Sequence, residues 1–140
     1  MTKNIMRSLV CIVAVLGMVA CGGSSGSGGG GSTATDSITI DSLTPSIVSA
    51  GTPTSFTISV SYSLQTKEGG VIAYGFKADS SNSYALDSDE RIISKGTGTA
   101  SFITTRTLTE ATTLRVQLVE YPTPTFYSPL VTANRAITVN

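Results

Sequence analysis

Apolar and polar side chains alternate over long stretches of the chain. Phe56, Ile58, Val60, Tyr62 and Leu64 alternate with Thr57, Ser59, Ser61 and Ser63. Successive side chains of a strand point to opposite faces, so this run predicts a strand with one buried and one solvated face. Leu114, Val116 and Leu118, alternating with Arg115, Gln117 and Val119, predict a second. Ala100 and Phe102, alternating with Ser101 and Ile103 and running on into Thr104, Thr105 and Thr107, predict a third. Residues 71–76 are apolar with little alternation, the pattern of a central strand buried on both faces. Ile38 with Ile40, Ile92 with Ile93, and Ile137 with Val139 mark shorter strands. No segment keeps a 3.6-residue apolar period, which predicts little or no helix.

The breaks between these runs carry turn chemistry. Thr44-Pro45 and Ala50-Gly51-Thr52-Pro53 divide the first segment. Lys67-Glu68-Gly69-Gly70 and Gly96-Thr97-Gly98 both read as turns between strands. Residues 79–82 and 87–90 read as loops, and residues 121–129 hold three of the five Pro. Turn signals every ~8–15 residues suit a sandwich or barrel.

The N-terminal residues follow a different pattern. Lys3 and Arg7 precede a run of twelve residues, 9–20, with no charged side chain. A helix needs roughly 20 apolar residues to cross a bilayer, so twelve suit the apolar core of a signal peptide. The run closes on Met18-Val19-Ala20-Cys21. This resembles the bacterial lipoprotein signal, a Leu-x-Ala/Gly-Cys box, with Met18 standing where Leu is usual. The resemblance implies cleavage before Cys21 and acylation of its thiol and amine, including a palmitate-type chain. Two or more acyl chains anchor a protein stably in a membrane. Removal of residues 1–20 takes Cys11 with it, leaving one lipid-bearing Cys and no disulfide. An ordinary signal peptide and an uncut anchor are the alternatives. Gly22 stands where Asp would imply inner-membrane retention in the enterobacterial sorting rule, so the resemblance implies the outer membrane.

Residues 22–31 are seven Gly and three Ser. With no side chains to bury, residues 21–35 read as a lipidated Cys and a flexible tether. Its root-mean-square reach is about 20 Å and its contour limit about 50 Å. Residues 36–140 then form one folded domain of about 105 residues, large enough to fold alone.

That body, with Ser37, Ile38 and the residues up to Asp41, the pattern from Gly51 to Leu64, residues 112–121 and residues 135–140, resembles the immunoglobulin-like and fibronectin-type-III-like modules of bacterial surface proteins. The implied fold is all-β: a single antiparallel β-sandwich of about seven strands after a disordered tether. There is no Trp and no cysteine pair to pin the core. A small barrel or jelly-roll fragment is the other architecture the pattern admits.

Composition narrows the chemistry. The chain has 140 residues, nine Lys+Arg, nine Asp+Glu and no His. Without the first 20 residues, seven bases face nine acids, a formal charge of −2. That balance argues against a nucleic-acid partner, which demands a basic face. Without His or Ser-x-x-Lys, the expectation is a non-enzymatic protein with no cofactor. Three places are candidates for binding. Asp79, Asp87, Asp89 and Glu90 could offer loop oxygens to calcium, although their spacing is not that of an EF-hand, and solvated carboxylates are the plainer reading. Tyr121, Phe126 and Tyr127, on a segment stiffened by Pro122, Pro124 and Pro129, could stack on a glycan or anchor a protein; capping of the core is the plainer reading. Gly96-Thr97-Gly98-Thr99 lacks the Lys of a phosphate loop. The expected role is therefore a membrane-anchored envelope or surface module for adhesion, binding or structure. The alternative is a periplasmic assembly partner that uses an open sheet edge near Ile38–Asp41 or Ile92–Lys95; a carbohydrate- or calcium-binding module is a lesser one.

Overall fold

A computed structural model describes residues 34–122 and 128–140. Cys21, Phe126 and Tyr127 lie outside the described residues, as do the signal and nearly all of the tether. The described residues belong to the unit Ser32–Asn140.

All regular structure among the described residues is β. The strands are β1 (Ser37–Thr44), β2 (Ile47–Val48), β3 (Pro53–Ala78), β4 (Ala85–Leu86), β5 (Arg91–Thr107), β6 (Thr112–Glu120) and β7 (Val131–Val139). The expected all-β fold of seven strands is thus found. They form one mixed sheet in the order β1-β3-β6-β7-β2, with β4 and β5 also pairing with β3. Every pairing is antiparallel except that of β2 with β7.

The sheet curls because β3 doubles back on itself. Phe56 and Phe76 are twenty positions apart, and a straight strand would separate them by about 66 Å. Their ring centroids are 5.8 Å apart. The chain therefore reverses between two arms of one ladder. The first arm, residues 53–64, pairs with β1 and with residues 96–107 of β5. The second arm, residues 69–78, pairs with β6, with the start of β5 and with β4. The register slips between Leu64 and Gly69, where residues 65–68 of β3 stand opposite the single residue Lys95 of β5. The two arms face each other over Phe56, Ile58, Val60, Leu64, Ile72, Tyr74 and Phe76, all in one core cluster. This two-layer packing is compatible with a β-sandwich.

Two expected turns are corrected here. Lys67-Glu68-Gly69-Gly70 is a bend inside β3, not a loop between strands. Gly96-Thr97-Gly98 is not a hairpin: it lies inside β5, with Gly96 opposite Leu64 and Gly98 opposite Tyr62. Gly96 has φ +130°, which an L side chain rarely adopts, so glycine is needed where β5 follows the bend. Glycine clusters read as turns because they permit unusual dihedrals, and a sharply bent ribbon uses the same freedom.

Bulges keep the apolar residues inward. Ile38 and Ile40 are buried, and so is Leu43, which regular alternation would turn to solvent. The register shift between Ile40 and Ser42 inserts Asp41 and restores the inward face. The mismatch of residues 65–68 with Lys95 does the same for β5, where Ile93 and then Ala100 and Phe102 face the core. Residues 71–76 are buried on both faces, as the unbroken apolar run predicts.

Asp36 clasps the bend. Its Oδ1 accepts from the backbone N–H of Gln65 at 2.7 Å and of Thr66 at 3.0 Å, and the Thr66 hydroxyl donates to Oδ2. Ion pairs Lys95–Glu68 at 2.8 Å and Lys67–Glu120 at 2.9 Å flank it. Burial opposes ionisation of Asp36, but these donors and the nearby Lys67 charge outweigh it and hold the carboxyl below its usual range.

The aromatic residues are the bulk of the contact between layers. Tyr74 meets Phe102 at 4.8 Å and Phe76 edge-on at 6.1 Å. Phe102 is fully buried, whereas its neighbour Ile103 is 70% exposed. Phe102→Ala is expected to cost about 3–5 kcal/mol through lost burial and a cavity. Ile103→Thr, on the solvent face, is expected to stay within ~0.5 kcal/mol. Denaturant midpoints of the two variants check the assignment of faces.

Candidate functional site

The segment between β3 and β5 runs over the outer face of the second arm and is tied down at both ends. At its start the Ser80 hydroxyl and N–H donate to the Glu110 carboxylate, and the Asp79 N–H donates to the Ala111 carbonyl at 2.9 Å. At its end the Asp87 N–H donates to the Tyr74 carbonyl at 3.0 Å. The Asp87 side chain is 14% exposed; its Oδ2 accepts from Thr104 Oγ1 at 2.9 Å and from Arg106 Nη2 at 2.7 Å. Its Oδ1 accepts from the Asp89 N–H at 3.2 Å. Burial works against this charge, but those donors prevail and hold the carboxyl below its usual range.

Two other groups complete the cluster. The Arg106 guanidinium lies 5.6 Å from the Phe76 ring centre. The Tyr74 hydroxyl is buried near Asp87 and Thr104 without a hydrogen bond of standard geometry. Burial pushes its pKa up to about 12, and the Asp87 charge adds to the rise. The hydroxyl stays protonated at any physiological pH, so the cluster is a structural staple with no proton to exchange.

Tyr84 sits midway along the tied segment, held by cations. The Arg115 guanidinium stacks 4.0 Å from its ring centre and the Lys77 ammonium lies 5.9 Å away. Arg115 is placed by register: on β6 it stands between Gly75 of β3 and Asn134 of β7. Gly75 has no side chain to compete, and β4 pairs closely beside it with Leu86 opposite. A Cβ at residue 75 would come 2.9 Å from the Ala85 carbonyl oxygen. Arg115 Nε donates to Asn134 Oδ1 at 3.3 Å. The ion pairs among the described residues are Lys67–Glu120, Arg91–Asp89, Lys95–Glu68 and Arg106–Asp87, so neither Lys77 nor Arg115 has a carboxylate partner there.

Tyr84 is the shared wall of two clefts. One, of about 340 Å³, lies between Phe76, Leu108, Arg106 and the hydroxyls of Ser83, Thr107 and Thr109. The other, of about 390 Å³, lies over Arg115 and Gln117, between Asn82 and Leu86 on one side and Pro129 on the other. Both combine aromatic or apolar walls with a few hydrogen-bonding groups, as small-ligand sites do.

The residues singled out in the sequence are placed as follows. Tyr121 is 44% exposed and its N–H donates to the Gly69 carbonyl at 3.2 Å. Phe126 and Tyr127 lie outside the described residues, while Pro129, at the end of their segment, lines the second cleft. The four acidic candidates do not converge. Asp87 is taken by Thr104 and Arg106, Asp89 pairs with Arg91, and Asp79 is fixed through its backbone. Glu90, an exposed residue, accepts from Arg91 through its backbone carbonyl. Among the described residues no three His, Cys, Asp or Glu stand together as metal ligands. Tyr84, Lys77 and Arg115 were not legible as a site. They sit on separate elements, and the sequence marks Arg115 only as one of the polar alternates of its strand.

The chain matches no family model, no curated protein and no solved structure.

Two outcomes are expected. Asp36 and Asp87 bind protons more weakly folded than unfolded. Their contribution to stability is therefore complete above the unfolded carboxylate value, near pH 4, and is lost as pH falls through the lower folded values. Unfolding midpoints should drop below about pH 4, and Asp36→Asn with Asp87→Asn should flatten the profile. Separately, Gly75→Ala should lift β4 from the sheet, because its new Cβ meets backbone. Faster amide exchange at Asp87, with the rest of β3 unchanged, reports that displacement.

Proposed function

We propose that the protein is a lipid-anchored bacterial envelope protein, processed at Cys21, whose immunoglobulin-like domain is a non-enzymatic binding module. The observation that carries the reading is the pair of clefts that share Tyr84, on a segment tied down at Ser80 and Asp87. A rigid sheet presenting an aromatic residue on a fixed loop is a common arrangement for recognition. The Gly/Ser tether after Cys21 would keep the module within about 50 Å of the membrane, in the periplasm or on the cell surface. The expected partner is a glycan or a protein of the envelope, and the outer membrane is the favoured address.

A second reading has its own observation. β5 pairs only with β3 among the described residues, and it carries the exposed Ile92 and Ile103. Such an edge is suited to strand addition by an assembly partner. The β1 edge is less suited, since the Asp41 bulge interrupts it.

The test is binding of an array of bacterial envelope oligosaccharides by the protein and by Tyr84→Ala. Array binding that falls at least tenfold in Tyr84→Ala, with the melting temperature little changed, supports the cleft. Binding equal in both proteins would overturn it and favour the β5 edge. Loss of palmitate labelling in Cys21→Ser checks the anchor independently.

A further inference from the structure

We infer that the cleft between Tyr84 and Pro129 takes a carboxylate-bearing sugar, and that Arg115 is the residue that grips the carboxylate. This rests on the binding-module reading and names the ligand class for the same site.

The first ground is electrostatic. Among the described residues, Arg115 is the one charged residue lining this cleft. The body beyond the tether is net acidic, yet no carboxylate of the described residues pairs with Arg115 or with Lys77. The nearby acids are engaged elsewhere, Asp87 by Arg106 and Glu110 by Ser80. Two cations without counter-charges on one tyrosine, beside a cleft with no acidic wall, form an anion-attracting spot.

The second ground is geometric. Stacking on Tyr84 fixes the plane of the Arg115 guanidinium, and Asn134 holds Nε. The terminal nitrogens donate to no described residue. A guanidinium with a fixed plane and an open fork matches a carboxylate with two parallel hydrogen bonds, and the ordering cost of the side chain is already met by the fold.

The third ground selects a sugar acid over a bare anion. Asn82 and Ser83 supply amide and hydroxyl groups at the rim, and Leu86, Pro129 and the Tyr84 ring supply apolar contact. A uronic acid presents a carboxylate, hydroxyls and an apolar ring face together, so each wall has a counterpart. Inorganic phosphate would leave the apolar walls unused, and an acidic peptide would leave the rim hydrogen bonds poorly matched.

The test is an amide-resolved NMR titration of the isotope-labelled protein with four probes: trigalacturonate, galactotriose, triglutamate and inorganic phosphate. The expected result is shifts at Asn82, Tyr84 and Arg115, with trigalacturonate bound at least tenfold more tightly than the other three. Raising the salt should weaken that binding. Arg115→Lys, which keeps the charge but loses the fork, should weaken trigalacturonate about tenfold, and Arg115→Gln should abolish its advantage over galactotriose. Arg135→Gln, outside the cleft, should leave binding unchanged. A retained melting temperature in the Arg115 variants separates recognition from folding. Equal binding of galactotriose and trigalacturonate at Tyr84 would overturn the acidic class and leave the binding module standing. Preference for triglutamate or phosphate would overturn the sugar. No shift at these residues with any probe would overturn the inference, and the oligosaccharide array would then decide the module by itself.

Discussion

The domain depends on one constraint: β3 is a single ladder long enough to form two layers, and it must reverse so that Phe56 meets Phe76. No cysteine pair or tryptophan pins these layers. The packing of Phe56, Tyr74, Phe76 and Phe102 therefore carries that role, and the bend must be stabilised locally. Asp36 does this with a carboxylate that accepts from two backbone amides and a hydroxyl at the bend. The same residue is the hinge between tether and body in the sequence. The residue that opens the domain in the sequence is thus also the clasp on its largest fold-back.

The sheet was largely legible before the structure. Period-two alternation placed the first arm of β3, β6 and the second half of β5, and the unbroken apolar run of residues 71–76 correctly marked a strand covered on both faces. The irregularities at Asp41 and at residues 65–68 opposite Lys95 were not legible, because alternation in a sequence cannot show which residues a neighbouring strand skips. The glycine clusters at 69–70 and 96–98 misled for a related reason. Glycine signals backbone freedom, and whether that freedom becomes a loop or a bent ribbon depends on pairing with distant residues. Both arms of β3 keep their β5 partner through the bend, so continuous pairing wins over local turn chemistry.

The candidate site was less legible still. Tyr84, Lys77 and Arg115 lie on a loop, the end of β3 and the middle of β6. Their convergence follows from the opposition of Gly75 and Arg115 across the ladder and from the close pairing of β4 with β3 at Gly75. Sequence reasoning looked for function in the acidic residues of the same loop. Asp87 proved to be the anchor that holds the loop in place, through Thr104 and Arg106. The plainer reading of Asp87 as a solvated loop carboxylate does not hold: its side chain is 14% exposed, its chemistry is spent inside the fold, and the loop it fixes presents tyrosine instead. Fixing a loop at both ends reduces the entropy lost when a ligand is held, which matters for an open cleft with modest contact area.

On the proposed reading, the tether and the cleft suit each other. An open cleft of about 390 Å³ with one arginine and one tyrosine contacts a small part of a polymer, and single contacts of this kind are weak. Attachment by lipid changes the requirement. Many copies on one membrane, each free to move within about 50 Å, meet a repeating polymer at high local concentration, so weak single contacts add to firm attachment. A flexible tether is then preferable to a stiff one, because each module must find its own repeat without straining its neighbours. On this reading the sheet and its tied loop would set what is recognised, and the tether would set how many sites engage at once.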